Sequence, residues 1–134
     1  RFHLGDGILI KDNHLAAMRA SGMSLKEIIT SAKQKAPPGI KVEVEVTSLN
    51  EAEEAAAAGA DIIMLDNMRP EEMGKAIKLI NGRAEVEASG GITLENIRQV
   101  ALTGVDIISV GALTHSVKAL DISLEVNPKT LKQL

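Results

Sequence analysis

Short apolar runs alternate along this chain with segments whose apolar positions recur at helical spacing. Gly7-Ile-Leu-Ile-Lys11 is apolar up to a terminal charge and reads as a buried strand. Lys41-Val-Glu-Val-Glu-Val46 alternates with period two, and Asp61–Asp66, Ala84–Ser89 and Asp106–Val110 complete a set of five strands. The helical stretches between them carry recognisable signals. Ser24-Leu-Lys-Glu27 and Ser48-Leu-Asn-Glu51 both match a capping box, in which hydroxyl and carboxylate satisfy orphan N–H groups reciprocally. Pro70 suits the first turn of a helix over 71–80, Asn81-Gly82 stops that helix, and Thr93 is the expected cap of a helix running to Thr103. Pro37-Pro38-Gly39 marks a loop and not a domain boundary, because the alternation resumes directly after it.

A repeat underlies this order. Ala58-Gly-Ala-Asp61-Ile-Ile and Thr103-Gly-Val-Asp106-Ile-Ile show the same device 45 residues apart, a glycine ending a helix and an Asp opening a buried strand. Repeated β–α–β units with near-continuous apolar strands imply a parallel sheet covered by helices, as an open sheet or a barrel. Five strands are too few for a closed eight-stranded barrel of about 250 residues. With Arg1 standing almost at a strand, the 134 residues are expected to be a piece of a larger barrel-like protein.

Composition narrows the chemistry. An apolar fraction of 45% suffices for a core, and no apolar run approaches the roughly 20 residues of a membrane span. Cysteine is absent, which excludes disulfides and thiolate catalysis and fits a reducing, cytoplasmic setting. Phe2 is the sole aromatic residue and the net charge is −3, so nucleic-acid binding by stacking or by a basic field is not expected. Membrane association is not expected either. An anionic ligand would be held by a few placed cations and by backbone N–H groups.

The polar residues gather where strands end. The five runs finish in Lys11-Asp-Asn-His14, Glu45, Asp66-Asn67, Ser89-Gly90-Gly91 and Gly111-Ala112. In parallel α/β folds these carboxyl ends share one face, which on barrels holds the active site. Taken singly, Lys11 reads as a solvated lysine, Glu45 and Asp66 as helix caps, and Ser89-Gly90-Gly91 as a tight turn. Five strand ends together point to an enzyme. Glu43 lies on the same side of its strand as Glu45, which is nearer the carboxyl end and the better candidate. Consecutive glycines before a helix at Thr93 let backbone N–H groups approach an anion, and Gly111-Ala-Leu-Thr-His-Ser116 offers the same geometry on the next strand. Phosphate binding is expected there. His3, His14 and His115 lack i, i+4 spacing, so no histidine-built metal site is expected, and His14 is placed to position Lys11 or a ligand. The five methionines read as packing residues.

These motifs resemble a known family. Arg1-Phe-His-Leu-Gly-Asp-Gly-Ile-Leu-Ile-Lys11-Asp-Asn-His14 is similar to a segment in the catalytic barrel of quinolinate phosphoribosyltransferases. Val42–Val46, Met64–Met68, Glu87-Ala-Ser89-Gly90-Gly91-Ile and Gly111–Ser116 follow in the family's order, and Leu120–Leu124 is similar to its closing segment. His3 departs from the family's usual glycine, while the spacing from Arg1 to Lys11 is kept. The resemblance implies that residues 1–134 are the carboxyl-terminal part of a partial, TIM-barrel-like parallel (β/α) domain. It implies a reaction joining quinolinate to 5-phosphoribosyl-1-pyrophosphate, with nicotinate mononucleotide, pyrophosphate and carbon dioxide as products in NAD biosynthesis. Arg1 and Lys11 would hold the quinolinate carboxylates. Glu45 and Asp66 would face the ribosyl group, with Lys11, Glu45 and Asp66 as the catalytic set, and Mg²⁺ would accompany the pyrophosphate. Ser89, Gly90, Gly91, Gly111 and Ala112 would cradle the 5′-phosphate. A homodimer or larger homo-oligomer is implied, with an amino-terminal domain, an Arg-Lys pair and a partner's arginine completing the site. A nicotinate-specific or molybdenum-transport-associated relative, a phosphosugar isomerase or aldolase, and an inert structural fragment are the alternatives.

Overall fold

The computed structural model describes residues 4–114. Five strands form one sheet in the order β1-β2-β3-β4-β5, every neighbouring pair parallel. They are β1 (Gly7–Ile10), β2 (Lys41–Val46), β3 (Ile62–Asp66), β4 (Glu85–Ser89) and β5 (Ile107–Ile108). The helices are α1 (Asp12–Ala20), α2 (Leu25–Lys35), α3 (Leu49–Ala57), α4 (Pro70–Ile80) and α5 (Ile97–Leu102), with 3₁₀ turns at Leu4–Asp6 and Gly111–Leu113. Strictly sequential strand order decides between the two sheet types left open by the sequence. A doubly wound sheet reverses its order at a switch point, whereas a barrel adds each strand beside the last. The chain is therefore a parallel, barrel-type (β/α) sheet, with β1 and β5 at its edges among the described residues.

One strand face builds the core. Val42, Val44 and Val46, Ile63 and Leu65, and Val86 and Ala88 are buried together with Leu25, Ile28 and Ile29 of α2, Ala52, Ala55 and Ala56 of α3, and Met73, Ala76 and Ile80 of α4. Alanines line the buried face of α3, whereas larger residues, Leu25, Ile28 and Ile29 of α2 and Met73 and Ile80 of α4, line the other two. Met73 is buried and Met23 and Met68 pack on the core, but Met18 is exposed and Met64 lies on the opposite face of the sheet. That opposite face carries the remaining alternate positions, among them Leu9, Glu43, Glu45, Met64, Asp66, Glu87 and Ser89. Among the described residues no helix is long and apolar enough to cross a membrane.

Most helix signals act as the sequence predicts. The Ser24 hydroxyl caps the Glu27 N–H, and the Glu27 carboxylate accepts from the Ser24 N–H at 2.8 Å. Pro70 opens α4, and Asn81 closes it in the left-handed conformation at φ 49°. Two signals act differently. Ser48 caps Glu51, but the Glu51 carboxylate turns to the Thr47 N–H (3.1 Å) and to Arg19 (2.8 Å), so the second box is not reciprocal. Thr93 does not begin an α-helix. A turn intervenes, and α5 starts only at Ile97.

The repeat has a physical meaning. Asp61 Oδ2 accepts from the Val42 N–H at 2.8 Å, and Asp106 Oδ2 accepts from the Val86 N–H at 2.8 Å. Each Asp also donates its own N–H to the carbonyl of the same valine, at 2.9 Å in both cases. Gly59 and Gly104, at φ 82° and 93°, turn the chain out of the preceding helix so that each Asp arrives beside the neighbouring strand.

Candidate functional site

The face opposite the helices ends, at the carboxyl edge of the strands, in the residues singled out from the sequence. Lys11 follows β1, Glu45 lies in β2, Asp66 ends β3 and Ser89 ends β4, with Glu45 level with Met64 and Asp66 level with Ser89. Pairing in register between parallel strands brings these four positions to one side of one edge. Arg1, His3, His115 and Leu120–Leu124 lie outside the described residues.

Lys11 is exposed and stands at the start of α1. Its backbone N–H donates to His14 Nδ1 at 3.0 Å, so His14 acts on the Lys11 backbone as the side-chain half of a capping box. This bond is to the Lys11 backbone and does not hold its ammonium. Glu45 is half-buried, and its carboxyl is pushed above the usual range. Burial is the main cause, and the nearby charges of Asp66 and Asp12 add to it. Lys11 and a hydrogen bond from the Asp12 N–H oppose the rise. Among the described residues neither Glu45 nor Asp66 forms an ion pair. Two carboxylates that repel each other, with Lys11 near enough to act on Glu45 but not paired with it among the described residues, are suited to meeting a positive ligand group. Glu43, one alternate position below Glu45, is almost fully buried and further from the edge.

The two glycine-bearing loops differ. Gly90 and Gly91 both have positive φ, 81° and 60°, a conformation that consecutive non-glycine residues rarely adopt. Their N–H groups donate no hydrogen bond among the described residues. Gly111 instead lies in an exposed 3₁₀ turn, has no positive φ, and a Cβ there would meet nothing within 4 Å. The expectation of equal geometry in the two loops is therefore corrected: the first is conformationally special and the second is an ordinary turn. The loops nevertheless face one cleft of about 710 Å³, lined by Ser89, Gly90, Gly91, Ser109, Gly111 and Ala112 among others. The helix expected at Thr93 starts only at Ile97 and has six residues; between them lies a turn in which the Thr93 N–H donates to Asn96 Oδ1 at 2.9 Å.

Three residues matter more than the sequence indicated. Asn67, itself left-handed at φ 51°, donates its side-chain amide to Asp66 Oδ2 at 2.8 Å and its backbone N–H to the Ser89 carbonyl at 2.9 Å. Asn96 reaches back from the start of α5 to the Gly91 carbonyl at 2.9 Å. Glu87 is buried just below Ser89, and Ser109 donates to it at 2.6 Å, tying β4 to the chain after β5. The first two were hidden because asparagine at a strand or helix end is ordinary turn chemistry, and of their bonds only that of Asn67 to Ser89 reaches another strand. Glu87 stood inside an expected strand, but its partner depends on β5 pairing.

Fold and site define the class: a barrel-type α/β protein whose strand ends gather a lysine, two acids and a left-handed glycine loop on one edge. The chain belongs to the quinolinate phosphoribosyltransferase family, whose description "Quinolinate phosphoribosyl transferase, C-terminal domain" matches residues 1–125. It is 47% identical over 133 residues to a probable nicotinate-nucleotide pyrophosphorylase [carboxylating] of Methanocaldococcus jannaschii, covering 94% of this chain and 45% of that protein. It is 48% identical over 126 residues to the corresponding Bacillus subtilis protein, covering 94% and 42%. The crystal structure of NadC from Streptococcus pyogenes is similar at a TM-score of 0.79 and 50% identity, over 90% of this chain and 41% of that one. The chain thus spans less than half the length of these curated relatives.

Proposed function

We propose that this chain carries the phosphoribosyl half of a decarboxylating quinolinate phosphoribosyltransferase. The observation that carries the reading is the grouping of Lys11, Glu45, Asp66 and Ser89-Gly90-Gly91 on one strand edge, in a family named for that reaction. The substrates are quinolinate and 5-phosphoribosyl-1-pyrophosphate. The quinolinate ring nitrogen bonds to the ribosyl carbon as the bond to pyrophosphate breaks. The ring carbon bearing the adjacent carboxylate then loses carbon dioxide and takes up a proton, the electron pair being stabilised by the positive ring nitrogen. Nicotinate mononucleotide, pyrophosphate and carbon dioxide result.

Each residue has work suited to its setting. The exposed Lys11 ammonium, with Arg1, pairs with quinolinate carboxylates through charge-assisted hydrogen bonds. Glu45 and Asp66 face the positive charge that develops on the ribosyl group as pyrophosphate departs. Their mutual repulsion in the free protein is relieved as that charge grows, so the interaction strengthens toward the transition state. The N–H groups of Gly90 and Gly91 have no acceptor among the described residues and suit the 5′-phosphate oxygens, with Ser89, Gly111 and Ala112 on the same cleft.

Mg²⁺ fits this donor set in one way. No cluster of three or more ligating side chains exists among the described residues, whereas Mg²⁺ commonly takes one or two carboxylates together with substrate phosphates and water. Glu45 and Asp66 would hold it, and it would neutralise charge on the departing pyrophosphate. The site works in a homodimer or larger homo-oligomer, a reading supported by the family resemblance in which a partner's arginine completes the quinolinate pocket. A cytoplasmic setting is supported by the cysteine-free composition.

The test is carbon dioxide release from carboxyl-labelled quinolinate by the natural full-length protein. Release should require 5-phosphoribosyl-1-pyrophosphate and match nicotinate mononucleotide one for one. Equal or faster turnover of nicotinic acid, without carbon dioxide, would assign a different phosphoribosyltransferase.

A further inference from the structure

We propose that Asn67 is a positioning residue that sets the distance between the acid of β3 and the glycine loop after β4. The inference rests on the reading above, in which Asp66 meets the ribosyl group and Gly90-Gly91 meets its 5′-phosphate. Three contacts converge on this one side chain and its backbone. The side-chain amide donates to Asp66 Oδ2 at 2.8 Å, which fixes one carboxylate oxygen and leaves the other to a ligand. The backbone N–H donates to the Ser89 carbonyl at 2.9 Å, extending the β3–β4 ladder one step past the end of the strands. The amide group also lies against Gly90, where an added Cβ would stand 2.6 Å from Asn67 Cγ and 2.8 Å from its Nδ2. Gly90 therefore needs to be glycine for two reasons, its φ of 81° and the amide packed on it.

Asparagine suits this place. It tolerates the left-handed conformation, here at φ 51°, better than most residues. Its short amide reaches a preceding carboxylate while its bulk stays over the neighbouring loop. A ligand with a ribose ring at Asp66 and a phosphate at Gly90-Gly91 bridges the same two elements that Asn67 joins. Asn67 thereby holds the two ends of a ribose 5-phosphate subsite in register before the ligand arrives, and this preorganisation favours the reacting geometry.

The test uses the natural full-length protein and steady-state kinetics with both substrates. Asn67→Gly keeps the left-handed backbone and removes the amide, so it separates positioning from folding. We expect KM for 5-phosphoribosyl-1-pyrophosphate to rise about tenfold and kcat to fall about tenfold, because a loosened subsite loses orientation. KM for quinolinate should change less than twofold, and the melting temperature should stay within a few degrees. Asn67→Asp keeps size and backbone tolerance but loses the donor, and should be at least as impaired. Gly90→Ala should do less harm in the Asn67→Gly background than in the parent, because the amide that its methyl would strike is gone. Values for Asn67→Gly within twofold of the parent, or equal losses for both substrates, would overturn the proposal while the functional reading stands. A parent that releases no carbon dioxide from quinolinate would instead overturn that reading, and this proposal with it.

Discussion

Asp61 and Asp66 stand just before and at the end of β3, and their carboxylates have opposite surroundings. Asp61, at the amino-terminal edge of the sheet, accepts from the Val42 N–H and pairs with Lys33 at 2.6 Å. Burial pushes its carboxyl up, but Lys33 and the Val42 N–H outweigh that and hold it below the usual range. Asp66, at the carboxyl edge, has the Asn67 amide and no cation among the described residues. The difference extends along both edges. Lys41 and Glu85 pair at 2.8 Å near the amino-terminal edge, and Asp106 repeats Asp61's bond to its neighbouring strand. Glu45, at the other edge, is raised by burial and by its acidic neighbours. Asp61 therefore serves folding, its charge answered within the chain, whereas under the proposed function Glu45 and Asp66 are left for a ligand; Glu51, paired with Arg19 just past β2, shows that not every acid near the carboxyl edge is.

The largest effect expected from breaking this contrast is on turnover. In the natural full-length protein, Glu45→Ala or Asp66→Ala should lower kcat by about 10²–10³, the usual cost of removing a group aimed at developing charge. KM for quinolinate should change little, and circular dichroism should show the fold intact. Variants with normal kcat and raised KM alone would contradict the role given to these acids.

The glycine loops sharpen the contrast within the carboxyl edge. Gly90→Ala and Gly91→Ala should weaken 5-phosphoribosyl-1-pyrophosphate binding at least tenfold, because both positions need positive φ. Gly111→Ala should be nearly neutral, since its backbone is ordinary and the space beside it is open. Isothermal titration of the three variants with that ligand would show whether the loops differ in this way.

At the amino-terminal edge the effect should fall on stability. Asp61→Ala or Asp106→Ala leaves a strand N–H without its side-chain acceptor and should cost about 1–2 kcal/mol in denaturant melts, with kcat essentially unchanged. The pH dependence has a definite sign. Asp61 titrates below its ordinary value in the folded protein, so its contribution is present above that ordinary value and is lost as pH falls through the folded value. Glu51, which opens α3 beyond the carboxyl end of β2, has the same sign: burial raises it, but Thr47 and Arg19 outweigh the rise and hold it low. The parent should lose more stability than Asp61→Ala as the solution is acidified below about pH 4.

The smallest effect should have the opposite sign. Glu45 titrates above its ordinary value, so its ionised form disfavours folding at neutral pH, and this cost disappears as pH falls below the ordinary carboxylate range. Glu45→Gln should thus melt at or slightly above the parent at pH 7, and the two should converge near pH 4. A lower melting temperature at pH 7 would mean that Glu45 serves the fold.

Local patterns made most of the framework legible. Five strands, the Ser24 cap, the Pro70 start and the Asn81 stop all depend on neighbours within a few residues, where period and turn chemistry speak directly. The Gly-Asp repeat was visible as a pattern, but its bonds to Val42 and Val86 required strand pairing. Lys11, Glu45, Asp66 and the Gly90-Gly91 turn were legible as strand-end chemistry. Two of the misses involve partners distant in sequence. Glu51 leaves its expected cap because Arg19, 32 residues earlier, competes for the carboxylate. Asn67 gains its place only when β4 lies beside β3. The choice of a barrel-type order over an open doubly wound sheet is likewise a property of pairing, not of any single strand.

Asp61 and Asp66 are expected to divide between folding and chemistry, and one paired experiment separates the two roles. Asp61→Asn and Asp66→Asn, made in the natural full-length protein, differ by five positions in the same stretch of chain. Each is measured for melting temperature and for kcat of carbon dioxide release from quinolinate. A crossed result is expected, with Asp61→Asn less stable and nearly fully active, and Asp66→Asn as stable as the parent but slowed by at least about 30-fold. Two variants that lose stability and activity in the same proportion would contradict it.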